Sequence, residues 1–498
     1  MAAFYVATAS TIATHTHCGI FASPRLERIL NALGRRIVSS ETTGTFERAP
    51  SYKRVLHVGS EVAAVGGLTR MIGRWMDADA ERVNSLVLTQ HRGKIPEPLT
   101  EAVRRSGGRI IRLNQMAGSR FDWVRALRRI ACEHDVIILH IHCEDVIPIL
   151  AFADPAGLPP VLFLNHADHL FWLGPSISHM VFNLRDAATD ISIFRRGIEP
   201  RRNFLLPTIV DATVRRHTRR EAKASLGLDP DTVLLLSVAR RPKYRSLDGV
   251  SFADRHVKLL AKHPQAQLIV IGSGEPEDWQ RAKAQVNGRI TGLPEQSDTQ
   301  RYFEAADIYV DSYPFVSSTS MMEAGGFGLP VVTIFTLPDE ARIFGINHVG
   351  LAGTSLVART SEEYDALLAR LVVDPEFREQ KGEAVRRAMG EFHEPAGWHP
   401  HLEAAFRHAM DLPMRTGEWN ATGEDIECPN LGPPDSVHED IVGSKYPGAE
   451  IEMVYMGALP FRQRIAHWRA MRKRGDIRGM PTSVRLLIPE WIKRRFKP

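Results

Sequence analysis

Cysteine is scarce in this sequence, and the few cysteines are scattered along 498 residues at Cys18, Cys132, Cys143 and Cys428. No two of them have Cys-x-x-Cys spacing, which argues against a structural zinc site and a disulfide framework and fits a reducing compartment. Long apolar runs are also missing. None reaches the roughly 18 residues that a membrane-spanning helix needs, and the N-terminus lacks the basic start of a signal peptide.

A strong excess of one charge is missing as well. The chain has 63 lysines and arginines against 58 aspartates and glutamates, a net charge of +5, and much of the excess lies near the C-terminus. We therefore predict no nucleic-acid binding. A hydrophobic content of 44% indicates a globular protein, and the length suggests roughly two to four domains.

Two series of apolar segments alternate with amphipathic helical segments. The first series begins with the strand-like segment Arg54–Ser60, and the second begins with Val233–Val238. Such alternation predicts parallel sheets covered by helices on both faces. We therefore predict an α/β fold of two doubly wound Rossmann-like domains facing each other across a cleft, with N- and C-terminal extensions. The predicted boundaries are 1–52 for an appendage, 53–210 and 211–410 for the two domains, and 411–498 for a loop-rich extension ending in a basic helical tail.

The most informative stretch is Asp311–Pro330, where a short apolar strand runs into serines and a threonine at the start of a helix. Hydroxyl side chains there are good N-caps, and the unpaired N–H groups of a first helical turn also bind phosphate. Glu323 follows about one turn into the helix, where a carboxylate can accept a ribose hydroxyl. This predicts a nucleoside diphosphate ligand held by Ser318, Thr319, Ser320 and Glu323. The alternative is an ordinary capped helix with a capping box between Ser320 and Glu323.

The segment from Glu323 to Pro330 reads E-A-x-x-x-G-x-P and resembles the donor site of GT-B glycosyltransferases of the group-1, family-4-like type. The loop Ser318–Ser320 is similar to that of the O-GlcNAc-transferase group. One position departs from the pattern, because Phe315 stands where common retaining families have a second glutamate that holds the donor hexose. The resemblance implies a nucleotide-diphosphate sugar as donor substrate, with no cofactor and no metal.

The same resemblance implies further donor-binding residues. It assigns a glycine loop to Gly66 and Gly67, and contacts with the nucleotide base to the backbone near Leu293. It also places cations on the diphosphate, in the segment that contains Arg240, Lys243 and Arg245. Such cations would stabilise the negative charge that builds on the leaving group.

Candidate catalytic residues follow two strands of the first series, and the carboxyl ends of such strands form the ligand crevice of open α/β sheets. His140 and His142 end one strand, and the resemblance makes His142 face the transferred sugar. After the next strand, the segment from His166 through Asp168 and His169 to Trp172 offers a general base, an orienting carboxylate and a sugar-stacking ring. Zinc binding by these imidazoles is the competing chemistry. The predicted catalytic set is His142, His166, Asp168 and Lys243.

These features predict a hexosyl- or N-acetylhexosaminyl-type glycosyltransferase acting on a glycan, lipid-linked or protein acceptor, as in polysaccharide biosynthesis. A sugar-nucleotide epimerase of the same fold is one alternative, and an inactive sugar-nucleotide-binding subunit is another, because of Phe315. The basic segment 462–498, with Trp491, Ile492 and Phe496, predicts a cytoplasmic protein in peripheral contact with an anionic membrane. The alternative for this segment is a helix folded back across the two domains.

Overall fold

A computed structural model describes residues 1–17, 19–39, 51–63, 66–416, 419, 438, 440–441, 448–477, 484–489 and 491–492. Two parallel β-sheets of seven and six strands organise this part of the chain. The predicted α/β class with two doubly wound domains is therefore confirmed.

The first sheet has the strand order β3-β2-β1-β4-β5-β6-β7. Its strands are β1 Arg54–Gly59, β2 Val83–Leu88, β3 Ile110–Arg112, β4 Val136–His140, β5 Val161–Asn165, β6 Met180–Asn183 and β7 Asn203–Leu205. The central strands are buried on both faces, as their continuous apolar sequence requires. The strand order reverses between β1 and β4, so a crevice opens where these two strands end.

The second sheet has the order β10-β9-β8-β11-β12-β13. Its strands are β8 Val233–Val238, β9 Ala266–Ile271, β10 Ile290–Leu293, β11 Ile308–Val310, β12 Val331–Ile334 and β13 Leu356–Ala358. Here the order reverses between β8 and β11. The basic segment after β8 and the hydroxyl-rich loop after β11 therefore leave the sheet side by side.

Helices cover both sheets, and none of those described is long and apolar enough to cross a membrane. The helices are α1 Ala2–His15, α2 Pro24–Val38, α3 Gly67–Ala78, α4 Glu97–Arg105, α5 Arg120–Ala131, α6 Val146–Ala151, α7 Asp186–Asp190, α8 Arg219–Ser225, α9 Asp254–Lys262, α10 Gln280–Gln285, α11 Gln300–Ala305, α12 Ser318–Gly326, α13 Ser361–Val373, α14 Pro375–Ala388, α15 Pro395–Asp411, α16 Gly448–Tyr455 and α17 Phe461–Arg474.

Helix α15 follows the second sheet in the chain but packs on the first. Trp398, Leu402 and Phe406 share a buried cluster with Trp75 of α3. The indole Nε1 of Trp398 also donates to the carbonyl oxygen of Pro207, 2.6 Å away, in the connection between the two sheets. Helix α15 thus packs on the first domain, and the hydrogen bond of Trp398 holds the interdomain connection against it.

Both extensions pack against the first domain. Phe4 of α1 and Leu30 of α2 belong to its main core cluster. The hydroxyl of Thr11 lies 2.8 Å from that of Tyr455 in α16, which ties the two ends of the chain together. Trp491 is partly buried against the same core. This packing resembles the alternative for the tail, a segment folded back on the domains.

Candidate active site

A cavity of about 350 Å³ lies between the two domains, at the carboxyl ends of β8, β9 and β11. The first domain contributes the start of α3, and the second contributes the loops after its strands and the start of α12. The cavity brings together these residues predicted for the donor: Gly66, Gly67, Arg240, Lys243, Thr319, Ser320 and Glu323. The two sides approach closely, because a Cβ atom on Gly67 would lie 3.4 Å from the methyl group of Thr319.

Three residues predicted for the donor lie away from the cavity lining. Ser318 opens α12 without lining the cavity. The carbonyl oxygen of Leu293 accepts the backbone N–H groups of Gly272 and Gly274, so it is already occupied. Arg245 points elsewhere and donates to the carbonyl oxygen of Asp440 at 2.8 Å.

The first turn of α12 is open to a ligand. The N-cap of this helix is Ser317, and no side chain among the described residues caps it, so the capping box between Ser320 and Glu323 does not form. The loop before it is fixed instead by Asp311, whose carboxylate oxygens lie 3.1 and 3.2 Å from the backbone nitrogen of Ser317 and accept its N–H. A helix start without a side-chain cap, preceded by a loop that Asp311 holds in place, suits an anion, because its N–H groups and the helix dipole both favour negative charge.

Glu323 forms ion pairs with two arginines of α3 across the cleft. Arg70 Nη1 lies 3.1 Å from its carboxylate oxygen Oε1, and Arg74 Nη2 lies 3.7 Å from the same atom. Arg74 also lies 2.5 Å from Asp211 in the interdomain connection. Burial raises the pKa of Glu323, and the two arginine charges oppose that shift. The carboxylate predicted to accept the ribose is thus held by two arginines of the opposite domain.

Lys243 is a half-buried cation on the cavity surface. Its Nζ donates to the carbonyl oxygen of Val316 at 2.7 Å and lies 4.8 Å from the ring centre of Phe315. Burial lowers the pKa of Lys243 to about 8, against the opposing charge of Asp311. Burial also raises the pKa of Asp311 to about 7, although the lysine charge opposes this. An ammonium group that lacks bulk water attracts a diphosphate strongly.

Asp168 is held in a buried ion pair. Arg185 Nε and Nη2 lie 2.6 and 2.7 Å from its two carboxylate oxygens, and His169 Nδ1 lies 3.2 Å away. Burial pushes the pKa of Asp168 upwards, but the charge and hydrogen bonds of Arg185 outweigh burial and hold the pKa well below its usual range. The bidentate geometry orients Asp168 and leaves it a poor proton acceptor.

The predicted histidines have different environments. The side chain of His142 is 40% exposed, with Nδ1 3.9 Å from Glu144. Burial, together with the charge of His142, lowers the pKa of His166 to about 4, so His166 is neutral at pH 7. His140 is buried, with Nε2 2.9 Å from His57 Nδ1, which fits a structural role.

The cluster of His166, Asp168 and His169 lies next to the interdomain cavity without lining it. The ring centre of His169 is 4.9 Å from that of Phe315, whose ring also contacts Lys243. Phe315 thus stands between the two groups, in the sequence position of the missing glutamate. Trp172 is buried and stacks on Phe163 with ring centres 4.1 Å apart, so this indole is not available to a sugar.

The group with metal-ligand spacing in the described part of the chain is Asp79, His399 and Glu403, away from the predicted imidazoles. Arg82 Nη1 lies 2.6 Å from Asp79 and 2.7 Å from Glu403. An arginine therefore already balances these carboxylates.

Two Rossmann-like domains with a ligand cavity between them define a GT-B architecture. A profile of the family described as Glycosyl transferases group 1 matches residues 232–371. D-inositol 3-phosphate glycosyltransferase of Thermobifida fusca is 24% identical over 251 residues, which cover 46% of this chain and 55% of that enzyme. This chain thus aligns with about half the length of that relative.

Solved structures show the same fold. Anabaena HepE in complex with UDP and glucose is 13% identical, with a TM-score of 0.51 over 71% of this chain and 99% of that one. A mutant O-GlcNAc transferase from Thermobaculum terrenum is 16% identical, with a TM-score of 0.52 over 83% of this chain and 78% of that one. The predicted resemblance to GT-B group-1 glycosyltransferases is confirmed.

Proposed function

We propose that this protein transfers a sugar from a nucleotide-diphosphate sugar to a glycan, lipid-linked or protein acceptor. The observation that supports this most is the convergence of an uncapped helix start, a cross-cleft carboxylate and buried or cleft-facing cations on one interdomain cavity. The helix start and Lys243 suit the diphosphate, and Glu323 suits the ribose. HepE has been crystallised with UDP-glucose, which fits a donor of this class.

The chemistry that we propose needs no metal ion. Lys243 and Arg240 lie where negative charge grows on the leaving diphosphate, and two such cations perform the charge neutralisation for which other transferases use a divalent ion. A hexosyl or N-acetylhexosaminyl donor fits the O-GlcNAc-type loop. Unchanged activity in excess EDTA is the expected result, and loss of activity restored by a divalent cation would contradict this part of the proposal.

On the acceptor side we propose roles for His166 and His142. His166 is neutral at pH 7 and can hydrogen-bond a bound acceptor, but its lowered pKa makes it a weak base, while the partly exposed His142 is the more accessible to a bound sugar. Asp168 orients this cluster through Arg185 and His169.

A panel of nucleotide sugars tests the function. Each donor is incubated with the protein, with and without candidate acceptors, and both nucleotide release and donor isomerisation are followed. Nucleotide release coupled to a glycosylated acceptor is the expected result. Donor isomerisation without nucleotide release would identify an epimerase, and binding without any conversion would identify an inactive sugar-nucleotide-binding subunit.

Glu323→Ala should weaken nucleotide binding. A charge-assisted hydrogen bond to the ribose contributes about 1.5–3 kcal/mol, so we expect a loss of roughly ten- to a hundredfold in affinity, measured by calorimetry with the free nucleoside diphosphate. Glu295→Ala is the matched control, because Glu295 lines the same cavity from a different loop. Equal affinity for wild type and Glu323→Ala would remove Glu323 from the ribose.

We also propose a cytoplasmic location with peripheral contact to an anionic membrane through the basic tail. Arg464 and Arg474 do not take part, since Arg464 is buried against carbonyl oxygens and Arg474 pairs with Glu452 and Asp476. Exposed cations and one exposed aromatic remain on α17: Phe461, Arg462, Arg469, Arg472 and Lys473. The cations Arg478, Lys493, Arg494, Arg495 and Lys497 and the apolar Phe496 lie outside the described residues.

Vesicle sedimentation tests this contact. Each cation near an anionic surface contributes about 1 kcal/mol, and the attraction decays within roughly 8 Å at physiological salt. We expect binding to anionic vesicles at low salt that falls steeply as salt rises, and weaker binding after replacing Arg469 and Lys473 with glutamine. Equal sedimentation with anionic and neutral vesicles would leave the tail as a segment packed on the first domain.

A further inference from the structure

A second cavity of about 570 Å³ lies at the amino ends of β11 and β12, on the edge of the second sheet opposite the candidate active site. The end of α12 and one side of α14 complete its lining. In the part of the chain that the structure describes, the two cavities share no lining residue. A ligand in this second cavity would therefore not touch the donor.

Two arginines line the second cavity with their charge unbalanced. Arg215 donates to the carbonyl oxygens of Glu304 and Phe327, at 3.2 and 2.7 Å. Arg378 donates to the carbonyl oxygen of Leu371 at 2.5 Å. Neither guanidinium forms an ion pair with a carboxylate among the described residues. Carbonyl oxygens satisfy donors without cancelling a positive charge, so both groups keep their attraction for an anion.

Arg219 adds a third guanidinium group. Its Nη1 lies 3.5 Å from Asp307, but the other oxygen of that carboxylate is already 2.7 Å from Lys223 Nζ. The single carboxylate of Asp307 thus balances the charge of two cations, Arg219 and Lys223. The Nε of Arg219 is buried and has no hydrogen-bond partner within the described residues. Burial, and then the neighbouring charge of Arg219, lower the pKa of Arg215, while the charge of Glu304 opposes this shift.

The acidic residues of this cavity limit the size of its ligand. Arg386 is balanced by Glu394 at 3.3 Å, and Glu379 and Glu383 are exposed at the rim. These two carboxylates repel an extended polyanion, while the three guanidinium groups attract a compact anion. Guanidinium groups bind phosphate oxygens in pairs of parallel hydrogen bonds, which favours phosphate over a simple monoanion.

We propose that the second cavity binds a compact phosphate-bearing ligand through Arg215, Arg219 and Arg378. The ligand is held by the three guanidinium groups and stays separate from the donor substrate. Inorganic pyrophosphate is a suitable probe, because it carries the required charge in a small volume.

Calorimetry with the full chain tests this site. Pyrophosphate is titrated into protein saturated with the nucleoside diphosphate that fills the donor cavity, so that only a separate site remains. We expect binding, weakened about tenfold or more by Arg219→Gln, because a charge-assisted hydrogen bond is lost. Arg220→Gln is the matched control: Arg220 is the next residue of α8, is exposed and does not line the cavity.

Arg219→Gln preserves the carbonyl contacts of Arg215 and Arg378, and unchanged nucleotide binding would show that the variant is folded. Vesicles of phosphatidylcholine, with and without phosphatidic acid, test the source of the phosphate. A lipid phosphate is the source if wild type binds only the vesicles with phosphatidic acid and Arg219→Gln does not bind them. Binding of free pyrophosphate alone would identify a soluble one. The proposal would be overturned if wild-type protein saturated with nucleotide did not bind pyrophosphate. It would also be overturned if wild type, Arg219→Gln and Arg378→Gln bound pyrophosphate equally.

Discussion

Lys243→Ala should lower kcat by about 100- to 1,000-fold while raising KM much less, because removing one group that stabilises developing charge has an effect of this size. The charge on the leaving diphosphate develops only in the transition state, so the lysine acts mainly on turnover. Lys243 is half-buried, lines the interdomain cavity and donates from Nζ to the carbonyl oxygen of Val316. Steady-state kinetics with the preferred donor measure both parameters.

Arg245→Ala is the control for this change. Arg245 lies close to Lys243 in sequence but points to the carbonyl oxygen of Asp440, away from the cavity lining. It should keep nearly full turnover. A collapse with Arg245→Ala or Arg240→Ala, together with normal turnover for Lys243→Ala, would transfer the role to the arginine.

The pH dependence gives an independent check on Lys243. Burial lowers its pKa to about 8, so the charged form is present below that pH and is lost as pH rises through it. Because kcat/KM reports on the free enzyme, it should fall above about pH 8. Lys243→Arg, which stays charged in this range, should move that fall to higher pH even if its absolute rate is lower.

The sequence predicted most of the residues that the interdomain cavity brings together, because these residues follow directly after strands. Their roles in donor binding stay predictions. Arg240, Lys243 and the Ser318–Ser320 loop come after β8 and β11, whose carboxyl ends meet at the switch point of the sheet. Local order along the chain was enough to place them. We did not predict Arg70 and Arg74, because their position on the cleft depends on how α3 packs. The signal for them in the sequence is that they lie four residues apart, shortly after Gly66 and Gly67.

Other features depend on contacts that leave little trace in the sequence. Arg185 meets Asp168 across two neighbouring strands, and nothing near either residue identifies the partner. Asp311 is the first residue after β11, and nothing in the sequence indicates that its carboxylate fixes the loop before α12. Helix α15 has an apolar face that fits either sheet, and only the tertiary structure shows that it packs on the first. The predicted domain boundaries stay predictions.

Asp168→Ala should lower the free energy of unfolding by about 3–5 kcal/mol, because removing one partner of a buried ion pair leaves the other charge uncompensated. Arg185 is 4% exposed and would lose both of its short contacts to the carboxylate. The fully buried Arg196 donates to the carbonyl oxygen of Asp168 and adds to the positive charge there. Chemical denaturation at pH 7 measures the loss.

The sign of the pH effect follows from the pKa of Asp168. Burial would raise this pKa, but Arg185 holds it well below its usual range. A lowered native pKa means that the stabilisation is present above the unfolded value of about 4 and disappears as pH falls below it. The difference in stability between wild type and Asp168→Ala should therefore be constant between about pH 5 and 8 and should shrink below about pH 4, measured by denaturation in buffers of fixed ionic strength.

A double replacement separates a structural role for Asp168 from a catalytic one. Asp168→Leu with Arg185→Met removes both charges, and an apolar pair in place of a buried ion pair is often neutral or stabilising. We expect the double variant to regain most of the stability that Asp168→Ala loses. If Asp168 serves only to stabilise the fold, the double variant should also regain part of its kcat, since His166 is unchanged. Full stability with no activity would instead show that Asp168 acts in the site itself, by orienting the cluster or by contacting the reacting groups.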